Sequence, residues 1–316
     1  FGLNAQGEQV TQYILTNAKG AEARIIDFGG ILTNLIVPDR ESKLADVVTG
    51  FDDMAGYLKP HGSMGETIGR YGNRIAKGRF TIDGETYQLA INNGENHLHG
   101  GKVGFGAKMW QATELPGEGK DSVKLHLVSP DGEENYPGTL VVDVTYTWTD
   151  RCDLVIRYEA TTDKATHCNL TNHSYFNLAG HDHGTIRDHE LFIDSDCITE
   201  VDAGLISTGA YMPVVGTPYD FREGLNMGEG LDAGEHFAPM AALGGYDQNF
   251  VLRKGKAMGL VACLYDPESG RSMECISDLP GVQLYTANGV DFPGGKGGVH
   301  YGDHCALCLE TQCYPD

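Results

Sequence analysis

Basic residues are scarce in this sequence. Lys and Arg number 23 against 44 Asp and Glu, leaving a formal charge of −21 over 316 residues. Such a chain repels nucleic acid and anionic lipid, so neither is an expected partner. The same charge disfavours an anionic substrate. Long apolar runs are missing too, and nothing approaches the roughly 20 residues that a membrane-spanning helix needs. No signal peptide is visible, and the chain begins at Phe1 rather than Met. The expectation is a cytoplasmic protein, with any targeting segment ahead of Phe1 left open. Eight cysteines are too few for a disulfide scaffold. Cys305 and Cys308 have the spacing of a zinc or redox pair. On the strand expected over 304–312, residues three apart point to opposite faces, so small apolar filler is the better reading. There is no glycine-rich nucleotide fingerprint after a strand. No long amphipathic helix is evident either, only a short helical segment over 52–59.

What is present is β-structure. Leu140, Val142, Val144, Tyr146 and Trp148 alternate with Val141, Asp143, Thr145 and Thr147. After a turn at Asp150-Arg151 the alternation resumes through Leu154, Ile156, Tyr158 and Ala160, which predicts an antiparallel hairpin with one buried face. Asp83-Gly84 between Phe80-Thr81-Ile82 and Glu85-Thr86-Tyr87 predicts a type I′ hairpin. Further strands are expected at 9–16, 21–27, 31–38, 122–129, 189–195, 248–253, 259–265, 271–277 and 282–287. The glycine clusters at 227–234 and 293–298 are expected as loops. Many short strands separated by turn residues, with no internal repeat or linker, predict an all-β fold. The expected architecture is one large antiparallel β-sandwich over 1–316.

Polar residues gather where a core strand would not place them. The runs are Asn92-Asn93-Gly94-Glu95-Asn96-His97-Leu98-His99, Asn169-Leu170-Thr171-Asn172-His173-Ser174-Tyr175-Phe176-Asn177 and Cys308-Leu309-Glu310-Thr311-Gln312. Histidine and a carboxylate are the side chains that move protons near neutrality. His173 among amides is a candidate acid, and Glu310 in an apolar strand is costly to bury unless paired or functional. On an extended segment His97 and His99 would share a face, which suits metal as well as catalysis. A cupin-type site would want a carboxylate three or four residues later. Lys102, Val103 and Gly104 stand there instead, so no metal is expected. His181 and His183 are expected in a solvated loop. Asn73 and Arg74 supply forked donors and an amide that suit vicinal hydroxyls. Arg70 and Arg74 could equally form surface ion pairs. Asp247 follows Gly244-Gly245-Tyr246, and Gln283 lies in the strand Gly281-Val282-Gln283-Leu284-Tyr285.

Six segments in order carry a resemblance. They are Gly72-Asn73-Arg74-Ile75-Ala76-Lys77-Gly78, Leu98-His99-Gly100-Gly101, Leu170 to Leu178, Gly245-Tyr246-Asp247, Gly281 to Thr286 and Leu309-Glu310-Thr311-Gln312. With these the chain resembles the aldose 1-epimerase (galactose mutarotase) family along essentially its whole length. The resemblance implies a β-sandwich isomerase that interconverts the α and β anomers of free aldohexoses such as galactose and glucose, with no cofactor. It implies Glu310 as general base, His173 as general acid and His99 as a second active-site histidine. Asn73, Arg74, His99, Ser174, Tyr175, Asp247 and Gln283 match sugar-binding positions. Two departures stand out: the family continues into further C-terminal strands where this chain stops, and it often has an aromatic where Cys313 stands. Rival readings are a hexose-6-phosphate 1-epimerase, a non-catalytic sugar-binding sandwich and a metal-dependent cupin. Monomer and homodimer are both open. With Glu310 as base and His173 as acid, the rate is expected to show a bell in pH, falling at low pH as Glu310 protonates and at high pH as His173 loses its proton.

Overall fold

A computed structural model describes residues 1–315. Four larger antiparallel sheets carry the chain. The first runs Gln12–Thr16, Glu22–Ile26, Leu32–Pro38, Leu44–Asp46 in sequence order. The second runs Gln111–Glu114, Lys120–Ser129, Leu140–Thr149, Leu154–Thr162. In the third, Glu190–Ile193 and Gly259–Tyr265 are central, flanked by Leu225–Asn226 and Ser272–Ser277. The fourth is ordered Ser207–Pro213, Ser195–Val201, Asp247–Leu252, Gly281–Tyr285, Cys308–Gln312. One apolar cluster joins all four, from Leu15 and Leu35 through Val144 and Trp148 to Leu264, Leu284 and Leu309. The all-β expectation holds. Among the described residues no helix is long and apolar enough to cross a membrane.

Local chemistry accounts for the elements. In Leu140–Thr149 every second residue is buried, from Leu140 to Trp148, as the period-2 pattern demands. Asp83 and Gly84 both have positive φ, 51° and 84°, which is the type I′ turn. The short helix Met54–Tyr57 is capped by Asp53, whose side chain accepts from the Gly56 N–H.

The glycine cluster at 227–234 is not a loop. Met227–Gly234 is a helix, with Asn226 as N-cap accepting from the Glu229 N–H. Its glycines serve close packing instead of turning. A Cβ on Gly230 would lie 2.4 Å from the Tyr246 hydroxyl, and one on Gly234 2.4 Å from Met240 Cε. Composition alone does not separate a glycine needed for its φ from one needed for its lack of a side chain.

The fourth sheet positions the site. Its register sets Asn249 opposite Gln283 and Gln283 opposite Glu310. Asp247 pairs with Tyr285, and Tyr285 with Cys308. By strand alternation these residues, with Gln312, share one face. Phe250, Leu252, Val282, Leu284 and Leu309 turn the other way into the core.

Candidate active site

His173 follows the two-residue strand Thr171–Asn172, which pairs with Thr67–Ile68. Its backbone is tied on both sides: its N–H donates to Glu66 O and its carbonyl accepts from the Gly65 N–H, each at 2.9 Å. The imidazole stacks on the Tyr175 ring, with centroids 5.1 Å apart and planes 23° apart, and meets His99 edge-on at 5.4 Å. Its Nδ1 contacts Cys308 Sγ at 3.5 Å, and its Nε2 lies 3.6 Å from Glu310 Oε1. The second distance exceeds a hydrogen bond, and the two groups face a common space.

Asn73 has φ +66° and His99 φ +51°. Asparagine and histidine are among the non-glycine residues that enter this left-handed region most readily. The Asn73 N–H donates to His99 Nδ1 at 3.0 Å. A backbone N–H can only donate, so Nδ1 is bare and the neutral ring carries its proton on Nε2 as a donor. The kink at His99 also undoes the expected pairing with His97. His97 bonds Ala90 O at 2.8 Å through Nδ1 and the Tyr136 hydroxyl at 2.7 Å through Nε2, fully buried away from the site.

The sugar-binding candidates Asn73, Arg74, Asp247 and Gln283 converge. The Arg74 N–H donates to Asn73 Oδ1 at 2.9 Å, Asn73 Nδ2 to Gln283 Oε1 at 3.0 Å, and Gln283 Nε2 to Asp247 Oδ1 at 2.6 Å. The Arg74 guanidinium lies 3.9 Å from Asp247 and donates to Asn93 Oδ1 at 3.1 Å. Arg70, the other arginine of that segment, is structural. It is buried and donates to Ser129 Oγ, Ser129 O, Pro130 O and Pro137 O.

Ser174 and Tyr175 give their hydroxyl protons to partners within the protein. The Ser174 hydroxyl donates to Asn172 Oδ1 at 2.6 Å, and the Tyr175 hydroxyl to Gly62 O at 2.7 Å. Both residues are 2 % exposed. Their hydroxyls are engaged within the protein, and the Tyr175 ring is the wall that holds His173. His183 is exposed beside Asp182, as a solvated loop requires, whereas His181 is half-buried against the Tyr301 hydroxyl. Among the described residues all eight cysteines are free. Cys305 lies outside the strand Cys308–Gln312, and Cys308 is more than filler because it touches the His173 ring. Sequence reasoning also passed over Asn93, Asn249 and Gln312. Their signal was an amide in a polar run or inside an otherwise apolar strand.

Burial sets the electrostatics. Glu310 is 3 % exposed, and burial, reinforced by the Asp247 charge and opposed by Arg74, pushes its carboxyl up to about 8. Burial also raises Asp247, against Arg74 and the Gln283 hydrogen bond. Burial lowers His173 below the ordinary imidazole value, partly offset by Glu66. Burial and the nearby His173 and Arg74 charges hold His99 well below it. The site therefore offers a proton-poor imidazole beside a proton-rich carboxyl.

One ligand atom each from His99, His173 and Glu310 lies within 4.8 Å of the other two, a donor set that could hold a cation. The His99 tautomer opposes that use. Coordination through Nε2 needs that nitrogen bare, which would put a proton on Nδ1 facing the Asn73 N–H. The arrangement suits a hydroxyl-bearing ligand better, with donors, acceptors and two proton carriers around one space.

The family model for aldose 1-epimerase matches residues 11–316. The chain is 45% identical to a galactose mutarotase of Bos taurus over 92% of this chain and 82% of that one. It is 32% identical to an aldose 1-epimerase of Escherichia coli K12, over 99% of this chain and 89% of the other. Among solved structures, an aldose epimerase homologue from C. elegans superposes with a TM-score of 0.87 at 32% identity, covering 97% of this chain and 90% of that one. With fold, segment order and whole-length similarity in agreement, the chain belongs to the aldose 1-epimerase family, and its activity is that of an isomerase.

Proposed function

We propose that this protein interconverts the α and β anomers of free aldohexoses such as galactose and glucose, with Glu310 as base, His173 as acid and His99 as a hydrogen-bond donor to the sugar. The observation that carries the reading is the pair His173 Nε2 and Glu310 Oε1, 3.6 Å apart and both buried. In a pyranose the anomeric hydroxyl and the ring oxygen are bonded to the same carbon. A base and an acid this close can therefore serve both oxygens at once. Glu310 removes the proton of the anomeric hydroxyl as His173 protonates the ring oxygen, and the C1–ring-oxygen bond breaks to give the open aldehyde. Rotation about C1–C2 and closure by the reverse proton transfers give the other anomer. No electrons are transferred and both protons are returned, so the chain's own side chains suffice.

Asn73, Arg74, Asp247 and Gln283 hold the sugar hydroxyls in this scheme, while Ser174 and Tyr175 support His173 from behind. The neutral hexose is favoured over its 6-phosphate, because Arg74 is already engaged with Asp247 and Asn93 and the chain charge is −21. A cytoplasmic enzyme working as monomer or homodimer fits this reading. Polarimetry on freshly dissolved α-D-glucose and α-D-galactose tests it: the protein should accelerate the decay of optical rotation. A higher kcat/KM for glucose 6-phosphate than for both free sugars would reverse the choice of substrate.

A further inference from the structure

Gln312 has no place in the scheme above, yet it is fully buried directly behind the sugar-binding amides. Its Nε2 donates to Gln283 Oε1 at 3.2 Å and to Asn249 Oδ1 at 3.0 Å, using both of its hydrogens. Among the described residues its own Oε1 and Asn249 Nδ2 have no hydrogen-bond partner. The polarity of the chain is settled at its ends. The Arg74 N–H, which can only donate, fixes Asn73 Oδ1 as acceptor and so Asn73 Nδ2 as donor. The Asp247 carboxylate, which accepts when ionised, fixes Gln283 Nε2 as donor. Gln283 Oε1 is thus left to accept from Asn73 and Gln312 together.

We propose that Gln312 is a positioning residue for sugar binding: by donating to Gln283 Oε1 it prevents the Gln283 amide from turning over and so keeps Asn73 and Asp247 in their ligand-ready orientation. This rests on the reading that Asn73 and Asp247 hold the sugar. A turned Gln283 would present oxygen to the Asp247 carboxylate and an N–H to the Asn73 amino group, which are two repulsive contacts in place of two bonds. Gly281 is an independent sign that the arrangement is built. It pairs directly with Gln312 across the sheet, and a Cβ there would lie 2.5 Å from Asn249 Oδ1, the atom that receives the other Gln312 hydrogen. A side chain at 281 would close the space in which the Asn249 and Gln312 amides meet.

The test is a split between binding and turnover. Gln312→Met keeps length and removes the donor, while Gln312→Glu sets acceptor against acceptor. KM and the equilibrium Kd for D-galactose should rise together, by ~5-fold in Gln312→Met and ~10-fold or more in Gln312→Glu, as expected for a lost or inverted buried hydrogen bond. At saturating sugar, kcat should stay within roughly 3-fold, because the acid and base are not in this relay. A merely structural role would lower the active fraction and leave Kd alone. Asp247→Ala is the reference: weakened galactose binding there with unchanged Kd in both Gln312 variants would overturn the relay alone. Wild-type galactose binding in Asp247→Ala would overturn the reading of the site itself. Should Gln312→Glu fail to fold, Gln312→Met and Gly281→Ala carry the test, and a wild-type Kd in both would refute the proposal.

Discussion

Leu140–Thr149 and Asp247–Leu252 are strands of the same kind with different second faces. In the first, Val142, Val144 and Tyr146 enter the core, while Asp143 on the other face stands half in water beside His126 and Lys124. In the second, Phe250 and Leu252 enter the same core, while Asp247 and Asn249 face a buried polar layer with Gln283 and Glu310. A polar side chain on the outer face of Leu140–Thr149 can be satisfied by solvent as well as by neighbours such as His126 and Lys124. One on the polar face of Asp247–Leu252 must find its partner in the protein, and an ionisable one is displaced from its ordinary acidity. The candidate site lies where the sandwich denies water to the polar face.

The largest expected contrast is between carboxylates. Glu310→Gln retains shape and removes the base, so mutarotation should fall by ~10²-fold or more with the fold intact. Near-wild-type decay of optical rotation in that variant would sink the assignment of Glu310.

His173→Asn should remove most of the activity as well, and what remains should carry a signature. The usual order, in which the carboxylate titrates below the histidine, is reversed here, since Glu310 sits at about 8 and His173 below the ordinary imidazole value. The wild-type bell then has an acid limb governed mainly by His173 and an alkaline limb governed mainly by Glu310. The two values belong to the pair, and the productive ionised-Glu310, protonated-His173 form is the minor arrangement of the shared proton. Without His173, the residual rate should rise with pH through about 8 as Glu310 ionises. A residual rate already level across that range would mean that Glu310 ionises well below it, and would restore the usual order.

Core faces should not distinguish the sheets. Leu125→Ala on the second sheet and Leu284→Ala on the fourth, both fully buried, should each cost about 2–5 kcal/mol in denaturant unfolding. A loss confined to one of them would show that the two sheets do not share a core.

Stability against pH separates the polar faces again. The Glu310 carboxyl is raised from 4.5 to about 8 on folding. Its contribution is therefore present below the unfolded value and is lost as pH climbs toward about 8, by up to a few kcal/mol. Glu310→Gln should flatten that decline and melt higher than wild type at mildly alkaline pH. Identical slopes for the two proteins would argue that Glu310 is ionised throughout. Asp143 behaves oppositely. Burial raises it, but the His126 hydrogen bond and Lys124 outweigh burial and lower it overall. Its contribution is present at neutral pH and is lost as pH falls.

The smallest effect is expected at Asp143 itself. Asp143→Asn, which weakens a half-solvated pair, should change stability by less than ~1 kcal/mol and leave the mutarotation rate alone. A rate change there would mean that the second sheet reaches the site.

Much of this was legible in the chain. Alternation from Leu140 to Trp148, the Asp83-Gly84 turn and the polar runs around His99, His173 and Glu310 are local patterns. A strand's period and a turn's φ preference are properties of neighbouring residues, so strands, hairpin and candidate proton carriers follow from sequence. Which candidates meet does not. His97 and His99 look equivalent until the left-handed turn at His99 sends one to Tyr136 and the other to Asn73. That Ser174 and Tyr175 give their hydroxyl protons to Asn172 and Gly62 is not visible in their neighbours. The glycines of 227–234 look like a loop until Tyr246 and Met240 pack against them. The inverted acidity of Glu310 and His173 and the placing of Gln312 behind Gln283 depend on burial and on strands far apart in the chain. Those are sums over the folded molecule, so only the tertiary structure could decide them.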